Sequence, residues 1–303
     1  MSNALQFSQP ANASRGRENW WGRALAFLRR YSRNRNAVIG GALVLILFLA
    51  AIFAHVLAPY SPTEQFTDDA MKPPSARFLL GTDTIGRDYL SRIIFGTRIS
   101  LMVGAISMTI ASLFGVTGGL LAGYYGGPVD TLVMRIMDAV LAFPALLLAI
   151  FIVAVLGPSM ANAMIAVGFV YIPGFARITR ANVLSIKEKE YIEGARAIGA
   201  TDGRILVRHV LRNCLSPIIV QFTLGIGYAI LVEASLSFLG LGVQPPTPAW
   251  GEMLGFGRNY MTIAPWLTTF PGVAIFLTVL SFNFVGDGLR EALDPRLRER
   301  MGS

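Results

Sequence analysis

Residues 187–212, KEKEYIEGARAIGATDGRILVRHVLR, are polar and basic, and long apolar runs lie on both sides of them. Six cations (Lys187, Lys189, Arg196, Arg204, Arg208, Arg212) meet four acids (Glu188, Glu190, Glu193, Asp202). A soluble segment set in so apolar a chain faces water or another protein. Its internal pattern favours a protein. Tyr191, Ile192, Ala195 and Ile198 recur at three- and four-residue spacing, which is one apolar stripe of a short helix, with Glu193 and Arg196 beside it. Gly199 is well placed as a helix stop. Thr201 or Asp202 suits the cap of a second helix, whose apolar set is Ile205, Leu206, Val210 and Leu211. The stretch therefore reads as helix, glycine turn, helix. A solvated loop needs no apolar stripe, whereas a short helix held between two membrane spans suits a push-pull contact with a motor.

Working outward, the 303-residue chain is 53% hydrophobic and only 15% charged. Soluble domains carry about 25% charged residues, so the deficit points to a membrane protein. The net charge of +8 then reflects topology. Nucleic-acid binding would need the basic residues clustered on a soluble fold, for which there is no room. Cys214 is the single cysteine, so no intrachain disulfide forms, and with His55 and His209 it gives no metal-ligand spacing.

Residues 1–36 hold seven arginines and one acid, Glu18. Trp20 and Trp21, followed by arginines, suit a helix over 18–34 lying at the membrane interface. Residues 37–58 form a 22-residue apolar run ended by Pro59, long enough for a bilayer core that needs about 20. It is read as a retained anchor rather than a cleaved signal. Residues 59–98 read as a loop of mixed charge. A second span covers about 100–124, and Gly115, Gly119, Gly123 and Gly127 fall on one helix face where backbones can approach. A short polar link carries Asp130 and Arg135. The third span covers about 136–156 with Pro144 inside it, and the fourth about 161–178, broken at Pro173-Gly174. The fifth covers about 215–239, the sixth about 265–285, and a charged tail occupies 291–303. The fold class is all-α and polytopic, with six transmembrane helices. Residues 99–290 form a five-helix core that carries a loop at about 179–213. With the N-terminus inside, twenty Lys/Arg lie on the inner side and six outside. The bias of basic residues toward the cytoplasm puts both termini and the 187–212 stretch there.

No lysine sits in a phosphate-binding glycine loop, no Ser/His/Asp or Cys/His set converges, and H-E-x-x-H is absent. Ionisable residues within the bilayer are functional candidates by default. Here they are Asp138 and Glu233, both near span ends. Glu233 reads either as a helix-to-helix hydrogen bond or as a residue lining a pathway.

The set Glu193-Gly194-Ala195 followed by Gly199 resembles the coupling loop of permease subunits in ATP-binding-cassette importers. Three other stretches resemble the dipeptide/oligopeptide C-type permeases of that group. They are Gly81-Thr82-Asp83 with Gly86-Arg87-Asp88 in the first outer loop, residues 233–251 from Glu233 to Gly251, and Gly286-Asp287-Gly288-Leu289-Arg290 with Asp294-Pro295-Arg296 near the end. The resemblance covers residues 29–298. It implies a type I (MetI-like) importer core in a bacterial inner membrane. It also implies a homologous B-type permease partner, two ATPase subunits and an extracytoplasmic solute-binding protein. ATP and magnesium would sit on the ATPases, with no cofactor on this chain. The ATPase-coupling residues would be Tyr191, Glu193, Gly194, Ala195, Ile198, Gly199 and Asp202. The family pattern usually has alanine at Gly194 and proline at Arg212. The implied cargo is a di- or oligopeptide, with nickel, glutathione or opine-like solutes as alternatives. An ion-coupled carrier working alone through Glu233 or Asp138, and a scaffold that lines no path, are the readings from other classes.

Overall fold

The computed structural model describes residues 20–293. Arg15, Arg17 and Glu18 of the basic N-terminal segment lie outside the described residues, and so do Asp294, Pro295 and Arg296 of the C-terminal signature. Apart from one isolated bridge between Thr82 and Asp88, the regular structure described is helical. Five helices are long and apolar enough to cross a membrane, or six if a bent pair counts as one span.

Helix α1 is Trp20–Tyr31 and α2 is Arg35–Ile52. Asn34 joins them: its Oδ1 accepts from the backbone N–H of Ala37 at 3.1 Å and caps α2. Helix α2 buries only small residues, Ala37, Gly40 and Ala51. Val38, Ile39, Leu45, Ile46, Phe48, Leu49 and Ile52 are exposed, an arrangement suited to lipid and costly in water. A short α3, Ala54–Leu57, completes the first apolar run after a break at Phe53.

Helix α4, Tyr89–Tyr125, begins well before the end of the expected 59–98 loop. Charge suggested a loop there, but these charges are bonded. Asp88 caps the helix by accepting from Ser91 N at 2.8 Å, and Arg98 donates to the Ala51 carbonyl at 2.8 and 3.0 Å. Gly115, Gly119 and Gly123 are buried on one face of α4, which packs along α7, Met160–Lys187. A Cβ at Gly115 would stand 2.5 Å from the Ile172 carbonyl, and one at Gly123 would stand 2.7 Å from Val183 Cβ. Gly127 does not share this face. The helix stops at Tyr125, Gly126 takes φ +67°, and Gly127 opens α5, Gly127–Leu141.

The expected third span is two helices. Helix α5 and α6, Ala145–Leu156, meet at 90°. Pro144 lies outside α6 rather than inside a span, because it has no N–H for the ladder and clashes with the preceding turn. At 12 residues α6 is about 18 Å long, short of a core of about 30 Å. The fourth span shows the reverse. Helix α7 runs unbroken through Pro173, which is buried, because packing against neighbours tolerates the lost hydrogen bond. The loop expected from about 179 therefore starts only after Lys187.

Helix α8 is Glu190–Ala197, and α9 is Asp202–Ile205. A wide π turn at Leu206–Leu211 carries α9 into α10, Arg212–Phe238, so the helix is continuous from Asp202. Helix α11, Trp250–Gly257, and α12, Trp266–Leu293, complete the described residues. Helices α4, α7, α10 and α12 form the packed centre, and α2 lies against α12 and α4.

Gly119→Val puts two methyls where the Ala176 carbonyl and Thr179 Cβ already sit. It is expected to destabilise the purified protein by about 1–3 kcal/mol through overpacking. Gly118→Ala, whose Cβ would meet only Val133 Cγ1 at 3.5 Å, is expected to leave the thermal unfolding temperature in detergent undiminished, and to raise stability by up to about 1 kcal/mol through helix propensity.

Candidate functional site

A short helix ending on a turn is built locally in α8. Glu190 and Glu193 sit in its first turn and Arg196 in its last, each charge complementing the helix dipole. Gly199 then takes φ +81°, a backbone that side-chain-bearing residues adopt at a cost. The apolar stripe expected over Tyr191, Ile192, Ala195 and Ile198 splits. Ile192 and Ala195 are buried in the main core, whereas Tyr191 is 44% exposed and Ile198 86% exposed. Glu193 and Gly194 are also exposed, and so is Val207 in the wide turn. The helix thus anchors by one face and presents the other, a mixed apolar and acidic surface, outward. A Cβ on Gly194 would meet nothing within 4 Å, so the backbone does not require glycine there. Arg212 lies at the π turn's exit, inside continuous helix.

Tyr124, at the end of α4, ties this region to the core, and the sequence reading missed it. Its hydroxyl donates to Asp202 Oδ1 at 2.5 Å, and the Arg196 guanidinium lies over its ring at 5.5 Å. The Tyr124 side chain beside it holds the Arg196 pKa above its ordinary value. Lys187 Nζ donates to the Gly123 carbonyl at 3.0 Å. Asp202 is therefore a link to α4 rather than a cap, and Thr201 holds the cap position without a side-chain bond. The available signal was a pair of tyrosines closing an apolar run directly before two glycines.

Two ion pairs fasten α5 to α7 at the same end. Arg180 contacts both oxygens of Asp130 at 2.5 Å, and Arg177 donates to Asp138 at 2.6 Å. Asp138 is half exposed and paired. Glu233 is the opposite case, 1% exposed. Ser237 Oγ donates to it at 2.5 Å and accepts from Val243 N at 3.0 Å, joining α10 to the loop before α11.

At the other end the stretch from Gly81 to Asp88 gathers into a clasp. Asp83 Oδ1 accepts from the N–H groups of Ile85 and Arg87 at 3.0 and 2.9 Å, and its Oδ2 accepts from Arg87 Nε at 2.6 Å. Thr82 Oγ1 donates to the Asp69 carbonyl and accepts from Lys72 N. Gly81 and Gly86 have positive φ, and Gly86 lies against the Phe66 backbone, where any side chain would collide. Arg92, 1% exposed, joins this clasp to α11 through Glu252 at 3.2 Å. Burial pushes the Glu252 carboxyl above the usual range, and Arg92 opposes that. Trp250 Nε1 donates to the Ile93 carbonyl at 3.0 Å and Trp266 Nε1 to that of Thr82 at 3.2 Å.

Two open clefts flank α10. One, of about 640 Å³, is apolar and is lined by Leu231, Phe238, Leu254 and Ile275. The other, of about 470 Å³, opens among α7, α10 and α12 and carries Asn182, Ser216, Gln221 and Arg290.

Residues 115–299 match the family described as binding-protein-dependent transport system inner membrane component. Residues 20–74 match the N-terminal transmembrane domain of oligopeptide transport permease C. The chain is 49% identical over 270 residues, 89% of each chain, to the dipeptide transport system permease protein DppC of Alkalihalophilus pseudofirmus. It is 50% identical over 273 residues, 90% of this chain and 91% of the relative, to the glutathione transport system permease protein GsiD of Pectobacterium atrosepticum. Among solved structures, the inward-facing MetNI methionine ABC transporter shares its fold. The TM-score is 0.55 at 19% identity, covering 68% of this chain and 98% of the other.

The two glycines of this region separate cleanly. Gly194→Ala is expected to stabilise α8 by up to about 1 kcal/mol through helix propensity. Gly199→Ala is expected to cost about 1–2 kcal/mol through its left-handed backbone. Paired thermal unfolding of the purified protein checks both signs.

Proposed function

The chain belongs to the family of binding-protein-dependent transport system inner membrane components, and from that premise we propose how its two ends work and what it carries. It is a permease subunit of an ATP-binding-cassette importer in the inner membrane. The finer reading is a pore of two homologous permeases, with two ATPases on the α8 side and a solute-binding protein on the side of the Asp83 clasp. Residues 187–212 are then cytoplasmic, and ATP and magnesium are held by the ATPases.

One observation carries the coupling assignment. Helix α8 buries Ile192 and Ala195 in the chain's own core while Tyr191, Glu193 and Ile198 stay exposed. A helix fixed on one face and unpartnered on the other suits docking into a groove of a moving subunit. Displacement of α8 would pass to the core that Ile192 and Ala195 join, and through Asp202 and Arg196 to Tyr124 and α4. Helix α4 reaches the clasp at its far end, so both faces of the membrane move with one rigid body, as alternating access requires. The apolar cleft beside α10 is assigned to the partner permease.

The cargo we propose is a di- or oligopeptide. One relative is named for dipeptide transport and another for glutathione, itself a tripeptide. The binding protein does much of the selecting.

The test is uptake of labelled dipeptide into proteoliposomes holding the permease pair, the ATPases and the binding protein. Glu193→Trp is expected to abolish uptake and binding-protein-stimulated ATP hydrolysis while insertion stays normal. Unimpaired uptake would remove the coupling role. Vesicles lacking the ATPases should show no uptake. Uptake there that is lost in Glu233→Gln or Asp138→Asn would instead establish an ion-coupled carrier. Tyr124→Phe removes a hydrogen bond to a charged group worth on the order of 1.5–3 kcal/mol. It should lower stimulated hydrolysis at least several-fold. In a double-mutant cycle with Asp202→Asn the two losses should be non-additive.

A further inference from the structure

An open groove of about 980 Å³ lies between α1 and α2. Its walls are two helical faces. Leu25, Leu28, Arg29 and Ser32 follow i, i+3, i+4, i+7 on α1 and its exit, and Val38, Gly41, Ala42 and Leu45 follow the same spacing on α2. The small pair Gly41-Ala42 makes room between them. Leu25, Leu28, Val38 and Leu45 are all more than two-fifths exposed.

The charged residue among those lining the groove is Arg29, which is exposed, and it lies in a stretch, residues 19–63, whose sequence has five arginines and no Asp or Glu. Glu291 accepts from Asn34 Nδ2 at 2.8 Å, and no hydrogen bond or ion pair among the described residues joins it to Arg29. The junction is also firm. Tyr31 OH donates to the Ala37 carbonyl at 2.8 Å, and Gly288 of α12 lies against Tyr31 and Ala37, with no space for a side chain. The angle between α1 and α2 is therefore set by the fold, and the groove is a standing feature.

We propose that this groove is a binding site for one anionic phospholipid. Its phosphate is held at the rim by Arg29, and an acyl chain lies along Val38, Gly41, Ala42 and Leu45. Three features single out this occupant. The lower wall is continuous with the lipid-facing side of α2, whose Ile39, Ile46 and Leu49 are exposed. The rim has a cation where a phosphate would be and no carboxylate among the lining residues. The groove is amphipathic along its length, charged at one end and apolar at the other, as a single phospholipid is. A polybasic segment beside a span attracts anionic lipid through charge, and here that charge stands over an apolar slot.

The experiment is native mass spectrometry of the intact importer complex purified into mild detergent with equal phosphatidylglycerol and phosphatidylcholine. The wild type is expected to retain phosphatidylglycerol at least fivefold over phosphatidylcholine. Arg29→Glu should reduce that retention about tenfold, Arg29→Lys should keep it, and Ala42→Trp, which fills the slot from a lipid-exposed position, should abolish it. Equal retention of the two lipids by the wild type would overturn the proposal, as would retention unchanged by Arg29→Glu. If Arg29→Glu lowers retention but Ala42→Trp does not, the basic charge is acting without the groove, and the site as drawn is wrong. Uptake in phosphatidylcholine vesicles reports folding of each variant independently.

Discussion

The close approach of α4 to α7 is the contact on which the rest depends. Three glycines, Gly115, Gly119 and Gly123, bring the α4 backbone against Ile172, Ala176, Thr179 and Val183. In lipid there is no hydrophobic drive to hold two apolar helices together, and small residues that allow dense packing supply it instead. Helix α7, α10 and α12 each contain a proline. Helix α4, 37 residues and about 55 Å long, contains none. It is the stiff member, and the others are referenced to it. Asp88 and Arg92 fix one end, and Tyr124 fixes the other.

Outside the pairs within residues 69–87, the described helix arginines that bond do so between elements. Arg92 reaches α11, Arg98 reaches the α2–α3 junction, and Arg180 and Arg177 reach α5. Exposed pairs of this kind add little stability, about 0–1 kcal/mol each, but the buried Arg92–Glu252 pair is different. Removing one partner there would leave a buried charge uncompensated, at several kcal/mol. These contacts set how elements sit against one another, which apolar packing in lipid specifies weakly.

The helical class, the number of apolar runs, the glycine face and the Gly199 turn were legible in the sequence, because each is a local pattern with a local cause. Proline was not legible in the same way. Pro144 separates two helices while Pro173 passes through one, and the difference lies in the neighbours, since only Pro173 is buried against them. Charge misled at residues 89–98, where Arg92 and Arg98 are solvated in sequence terms but bonded in the fold. Tyr124 was hidden because its partner, Asp202, is 78 residues away. The stripe on α8 was legible as apolar, but not that half of it, Tyr191 and Ile198, faces outward.

The wide turn at Leu206–Leu211 has a geometric consequence of its own. Ile205 and Val210 are five residues apart and both fully buried. On a regular α-helix such positions differ in azimuth by about 140° and would not share a buried side. The i→i+5 turn adds a residue to one revolution and brings the two into phase. The helix is unbroken from Asp202 to Phe238, yet it carries two angular registers, one for the segment beside α8 and one for the span. Deleting a single residue within 206–211 would leave both helices intact and rotate one relative to the other by roughly a quarter of a turn.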